Sequence, residues 1–204
     1  MEKPMKLALI CGRSGAGKSS LIRALLKHDP MRIRCLTIVA AREKRNKDVV
    51  HPHNPAWGEY AYVTPALFAT WEADAKFVHV GKGRDGTAYG LLHSMIEETK
   101  DFPGWVVVDL PMDLSRKARE FFSDPQITLA LMYLDVNEED LEARLTLRGH
   151  DADEIAQKIS ETEGWREQAM RQGFAMIGNV DGSHMDLEAV LDRMLKIMCS
   201  YDAQ

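Results

Sequence analysis

Leu7-Ala8-Leu9-Ile10-Cys11-Gly12-Arg13-Ser14-Gly15-Ala16-Gly17-Lys18-Ser19-Ser20 decides the fold. A short apolar run leads into G-x-x-x-x-G-K-S, and a helical pattern opens at Ser20-Leu21-Ile22. Strand, glycine-rich loop and helix, in that order, form the context in which this motif cradles phosphate. Glycines at 12, 15 and 17 permit backbone angles closed to other residues, so consecutive amides can turn inward around an anion. The helix that follows aims unpaired N–H groups and a partial positive charge at the same spot. Lys18 brings a mobile full charge for the terminal phosphates, and Ser19 a hydroxyl for a magnesium ion. Arg13, Ser14, Ala16 and Ser20 complete the nucleotide-binding run. The plain alternative, a glycine-rich turn that only matches the motif, is disfavoured by the flanking strand and helix.

Outward from this stretch, 204 residues suit one domain with a sizeable core. Hydrophobic residues at 45% and charged residues at 28% are those of an ordinary soluble globular protein. A formal net charge of -5 provides no global basic field for nucleic acid or an acidic membrane. Cys11, Cys35 and Cys199 show neither metal spacing nor a disulfide framework, which fits a reducing, cytoplasmic setting. Cys11 reads as a small buried filler rather than a catalytic thiol. Neither a signal segment nor an apolar run of membrane-spanning length is expected.

Following the chain, the pattern predicts a helix over 20–27, stopped at Pro30, and a strand over 33–40. The basic cluster 41–47 reads either as a solvated loop or as paired arginines for a second phosphate. His51 and His53 are spaced like metal ligands on a strand, but with no third ligand in view they read as an exposed pair. Residues 59–64 alternate as a short strand, Thr64-Pro65 opens a helix, and 77–80 is a further strand before a turn-rich tip at 81–86. Residues 91–99 read as helix. The continuous apolar strand 105–110 closes on Asp109, either a magnesium holder or a helix cap; the phosphate loop favours the metal role. A helix over 115–122 and a buried strand over 127–134 follow. Asn137 then opens a helix carrying Leu141, Arg144, Leu145 and Arg148, broken at Gly149, and a long charged helix is expected over 153–171. Arg144 and Arg148, one turn apart on what looks like an arm over a site, are a natural source of charge for a transferring phosphoryl group. Surface ion pairing is the alternative. A strand over 174–179 and an amphipathic helix over 186–198 close the pattern.

The order of these features resembles the guanylate kinase family over nearly the whole chain. The strongest matches are Ser14-Gly15-Ala16-Gly17-Lys18-Ser19, Tyr89-Gly90, and Arg144-Leu145 with Arg148-Gly149. The resemblance implies an α/β, three-layer phosphate-loop fold: a parallel five-stranded core sheet with helices on both faces, a small monophosphate-binding insert and a helical lid. The implied boundaries are a core of about 1–40, 92–140 and 172–204, an insert of about 41–91 and a lid of about 141–171 within one domain. It implies transfer of the γ-phosphoryl group of ATP, with Mg2+, to a nucleoside monophosphate, GMP or dGMP first, by a monomer or homodimer that binds neither nucleic acid nor membrane. By position, Arg42 and Arg45 would grip the acceptor phosphate. Tyr60 and Tyr89 would donate hydrogen bonds to it, Asp109 would stand on the magnesium side, and Asn179 would lie near the adenine.

The departures concern the base. His79 stands where the family has a guanine-reading glutamate, Pro111 where it has an aspartate, and Leu91 where it has a serine; Lys158 replaces a lid arginine. Phosphate-handling positions are mostly kept and base-reading positions mostly are not. A kinase of ribose 1,5-bisphosphate or of a different nucleotide is the first alternative. A non-catalytic protein-binding module of the same fold is the second, although such modules usually lose the phosphate loop that this chain keeps.

Overall fold

The computed structural model describes residues 4–43, 60–82, 86–110, 112, 115, 118–122, 124–178 and 186–202. Its centre is β1 (Met5–Gly12), in which Leu7, Ala8, Leu9, Ile10 and Cys11 are fully buried. A strand apolar on both faces has to be covered on both. It pairs in parallel with β7 (Trp105–Asp109) on one side and β8 (Ile127–Asp135) on the other. β2 (Ile33–Cys35) and β9 (Ala175–Gly178) extend the sheet in parallel to the order β2-β7-β1-β8-β9. Helices α1 (Lys18–His28) and α8 (Leu187–Asp202) pack one face through Leu21, Ile22, Leu25, Val190, Met194 and Met198. The opposite face meets Ile96 of α3 (His93–Glu97), Phe121 of α4 (Ala118–Phe121), and Trp165 and Ala169 of α7 (Trp165–Arg171). The expected three-layer α/β architecture with its five-stranded parallel core is therefore observed. The chain steps from β1 towards β2 on one side and reaches β8 and β9 on the other, so β1 is the switch point at which such sheets place their ligands.

A second sheet, β4-β3-β6-β5, comprises β3 (Ile38–Ala40), β4 (Tyr60–Tyr62), β5 (Phe77–Lys82) and β6 (Ala88–Leu92). The single strand expected over 33–40 is two strands in two sheets. Leu36 N donates to Val107 O at 2.7 Å, keeping that stretch on the core sheet, whereas Ile38 to Ala40 pair with β4 and β6. Thr37, at the crossing, is buried. The stretch expected as helix over 91–99 begins as strand: Leu91 and Leu92 belong to β6 and the helix starts at His93. β5 likewise runs through Lys82, into the stretch read as a tip. Helix α2 (Pro65–Ala73) starts as expected, with Thr64 accepting a hydrogen bond from Leu67 N.

The charged stretch 153–171 is two helices, α6 (Ala152–Ser160) and α7. Gly164 at φ 75° reverses the chain between them, and Thr162 donates to the carbonyls of Lys158 and Ile159 at 3.0 and 3.1 Å to close α6. α5 (Glu138–Leu147) is anchored rather than peripheral. Its Asn137 cap accepts from Asp140 N at 2.7 Å, and Leu141 and Leu145 are fully buried, a contribution of roughly 2 kcal/mol each. Among the described residues no helix is long and apolar enough to cross a membrane.

One backbone contact fixes β9 against β8. Gly178 has φ 106°, and a Cβ there would lie 2.1 Å from the Asp135 carbonyl oxygen. Gly178→Ala is expected to destabilise the protein by about 2 kcal/mol or more, read as a lower urea midpoint. A loss below about 0.5 kcal/mol would show that the two strands do not meet this closely.

Candidate active site

The carboxyl ends of β1, β7 and β8 bring the loop and the acids Asp109 and Asp135 to one end of the sheet. Gly15 and Gly17, at φ 92° and 104°, hold the loop after β1 in a conformation that side-chain-bearing residues rarely adopt. Gly15 is also pressed on α5, where a Cβ would come within 3.0 Å of Leu141. Gly12 meets Leu134 just as closely, with its added Cβ 2.8 Å from that residue's carbonyl oxygen. Ala16 is buried, and its amide donates to Arg13 O at 3.1 Å.

Helix α1 begins at Lys18 with Gly17 as its cap residue and no side-chain cap. α2, α5 and α6, by contrast, are capped by Thr64, Asn137 and the Asp151–Glu154 capping box. Ser19 and Ser20 lie in the first turn of α1, next to the loop. Lys18 Nζ donates to Gly12 O at 2.9 Å and Arg13 O at 3.2 Å, and lies 3.9 Å from Asp109 Oδ1. Asp109, buried at the end of β7, and the Ser19 hydroxyl at the start of α1 are hard oxygen donors. This donor set fits a magnesium-bound polyphosphate. Arg144 Nη1 donates to Ala16 O at 2.8 Å, and Arg148 caps the end of α5 and is exposed. Ser14 is exposed at the loop tip.

Cys11 lies beneath the loop. Burial pushes its thiol up to about 12, against the attraction of Lys18, and its Sγ donates to Met112 Sδ at 3.2 Å. A thiol held protonated this firmly is a filler, as its position in the sequence suggests.

The second sheet gathers aromatic rings around Arg42. Its guanidinium carbon stands 4.9 Å from the centre of the Tyr62 ring and 5.5 Å from that of Tyr60, which packs on Tyr89 at 5.8 Å. Gly90, the other half of the Tyr89-Gly90 pair, is required by packing: a Cβ there would strike the Phe77 ring at 2.5 Å. His79 lies in β5, opposite Leu91, with its ring 4.6 Å from that of Phe121. Arg45, Asn179, Pro111, His51 and His53 lie outside the described residues.

Two groupings were not anticipated from sequence. Arg166 Nε donates to Asp135 Oδ2 at 2.8 Å, and this bond raises the already high pKa of the guanidinium. Arg13 reaches Thr162 and Glu138. Asp135 offered a signal, as an acid closing a buried strand; Thr162 offered none.

A phosphate loop at the switch point of a parallel sheet, with arginine brought over it from a helical arm, defines a phosphate-loop kinase. Relatives narrow the class. The guanylate kinase of Pseudoalteromonas translucida is 30% identical over 168 residues, 79% of this chain and 75% of that protein. That of Vibrio parahaemolyticus is 27% identical over 187 residues, 91% of this chain and 86% of its own length. The crystal structure of guanylate kinase from Anaplasma phagocytophilum superposes with a TM-score of 0.61 at 18% identity, covering 98% of this chain and 88% of that one, a likeness of fold. No protein-family model matches the chain. The chain belongs to the guanylate kinase family, and is an enzyme of the nucleoside monophosphate kinase class.

Proposed function

We propose that the protein transfers the γ-phosphoryl group of ATP to a guanosine monophosphate, GMP or dGMP. The observation that carries this reading is the grouping at the carboxyl ends of β1 and β7: Lys18 folded onto the loop carbonyls, 3.9 Å from buried Asp109, with Arg144 bonded to the loop at Ala16. In this proposal the loop from Gly12 to Ser20 holds the triphosphate, and Ser19 and Asp109 hold magnesium. Bound there, magnesium neutralises phosphate charge and fixes phosphate geometry. Lys18 and Arg144, joined by Arg148, place positive charge at the equatorial oxygens of the transferring group. Arg42 and Arg45 orient the acceptor phosphate, with Tyr60 and Tyr89 as hydrogen-bond donors, and Asn179 lies beside the adenine. No general base is required, because an acceptor phosphate is already a nucleophile; positioning and charge supply the rate. We assign 41–91 to acceptor binding and 141–171 to a lid.

A second reading has its own observation. His79 occupies the position of the family's guanine-reading carboxylate, and its imidazole is packed on Phe121. An imidazole cannot accept from two guanine donors as a carboxylate does, and a site built to pair a base discriminates strongly through such groups. This favours another phosphorylated acceptor, a different nucleotide or ribose 1,5-bisphosphate, with the same phosphoryl-transfer machinery.

The test is ADP release from MgATP against GMP, dGMP, AMP, CMP, UMP, dTMP and ribose 1,5-bisphosphate. Turnover is expected with GMP or dGMP. Turnover confined to another acceptor establishes the second reading, and silence across the panel removes both.

A further inference from the structure

Arg13, the residue after the first glycine of the loop, does not end in solvent. Its side chain is 13% exposed, its Nε donates to Thr162 Oγ1 at 2.9 Å across 149 residues of sequence, and its Nη2 lies 3.3 Å from Glu138 Oε1. Thr162 is 2% exposed, and the same hydroxyl that accepts from Arg13 donates to the last carbonyls of α6. The main chain of Arg13 is committed to the loop, its carbonyl accepting from Lys18 Nζ at 3.2 Å and Ala16 N at 3.1 Å. One residue therefore joins three things: the lysine of the loop, the first turn of α5 and the turn between α6 and α7. The Arg166–Asp135 bond is a second tie between α7 and the end of β8, on the wall of the same cleft of about 610 Å³.

We propose that Arg13 is a positioning residue that makes the phosphate loop and the α5–α6–α7 arm a single mechanical unit. An anion filling the loop draws Lys18 away from the Arg13 carbonyl, and any adjustment of the Arg13 backbone is passed through its guanidinium to Thr162 and Glu138. Arg144, on α5 and bonded to Ala16, is carried by the same unit. Setting the arm is thereby coupled to filling the loop, and phosphoryl transfer finds the arm's arginine already in register. The kinetic part of this inference rests on the phosphoryl-transfer reading above; the conformational part does not.

The experiment measures amide hydrogen exchange of the segment 158–166 with and without MgATP, together with MgATP affinity, steady-state kinetics and the unfolding midpoint. The proteins compared are the parent, Arg13→Ala, Arg13→Lys and Thr162→Val. MgATP is expected to slow exchange in this segment of the parent by about tenfold, the scale of one charge-assisted hydrogen bond. That slowing should vanish in Arg13→Ala and Thr162→Val although both still bind MgATP, with kcat lowered by about tenfold and KM for ATP changed less. Arg13→Lys, one point charge in place of a fork, should fall between. Loss of MgATP binding in Arg13→Ala with parental behaviour in Thr162→Val would overturn the proposal, because Arg13 would then act on the nucleotide itself. Lower unfolding midpoints with parental kcat and parental exchange response would overturn it too, leaving a purely structural tie. No turnover with guanosine nucleotides would strike the acceptor assignment alone, since the exchange response needs only MgATP.

Discussion

Lys18→Ala is expected to lower turnover by roughly several hundredfold or more, the loss typical when a charge that stabilises the transition state is removed. The ammonium is 2.9 Å from Gly12 O and 3.9 Å from Asp109, at the loop to which the proposal assigns the triphosphate. Its side chain is 15% exposed and holds two loop carbonyls beside the buried Asp109 carboxylate, so a loss of stability is expected to accompany the loss of turnover. Turnover with the best acceptor and the unfolding midpoint, measured on one preparation, separate the two effects. Near-parental turnover would sink the mechanism, whichever acceptor is used.

The second large effect is expected at Arg144. Its guanidinium already donates to the loop at Ala16 O, at 2.8 Å. Arg144→Ala should lower kcat on the order of a hundredfold while changing KM for ATP much less, because its charge is needed most as the phosphoryl group leaves. Arg144→Lys should recover only part of the rate, since a point charge cannot hold the loop carbonyl and a phosphoryl oxygen in the geometry of a fork. An increase in KM with kcat intact would assign Arg144 to ground-state binding instead. The exposed Arg148 provides the comparison, and its loss should cost less.

The loop was legible in the sequence because its order is local: three glycines, a lysine and a serine within eight residues can be read without knowing what packs on them. So were α2 and α5, each announced by its own cap, Thr64 and Asn137. The crossing at Thr37 was not. Ile33 to Ala40 is mostly apolar, broken only by Arg34 and Thr37, and nothing in such a run reveals that its two halves pair in different sheets. The break between α6 and α7 had a visible sign in Gly164, outweighed by the helical spacing around it. Arg13–Thr162 and Arg166–Asp135 were illegible for a different reason, being contacts of tertiary structure between residues whose types permit many partners. The residues proposed for the acceptor fall between these cases: Arg42, Tyr60 and Tyr89 were assigned by resemblance, and the rings that surround Arg42 are seen only in three dimensions.

The central position of β1 also governs when this protein can become competent during synthesis. The strand that ends in the phosphate loop is made before both of its neighbours, Trp105–Asp109 and Ile127–Asp135, which follow roughly a hundred residues later. Until the ribosome has released that second neighbour, this buried strand lacks the full sheet it belongs to, and the loop has no complete frame to hold its amides in place. Nascent fragments that stop short of β8 should therefore be unable to bind nucleotide and should depend on chaperones, although they contain every residue of the motif.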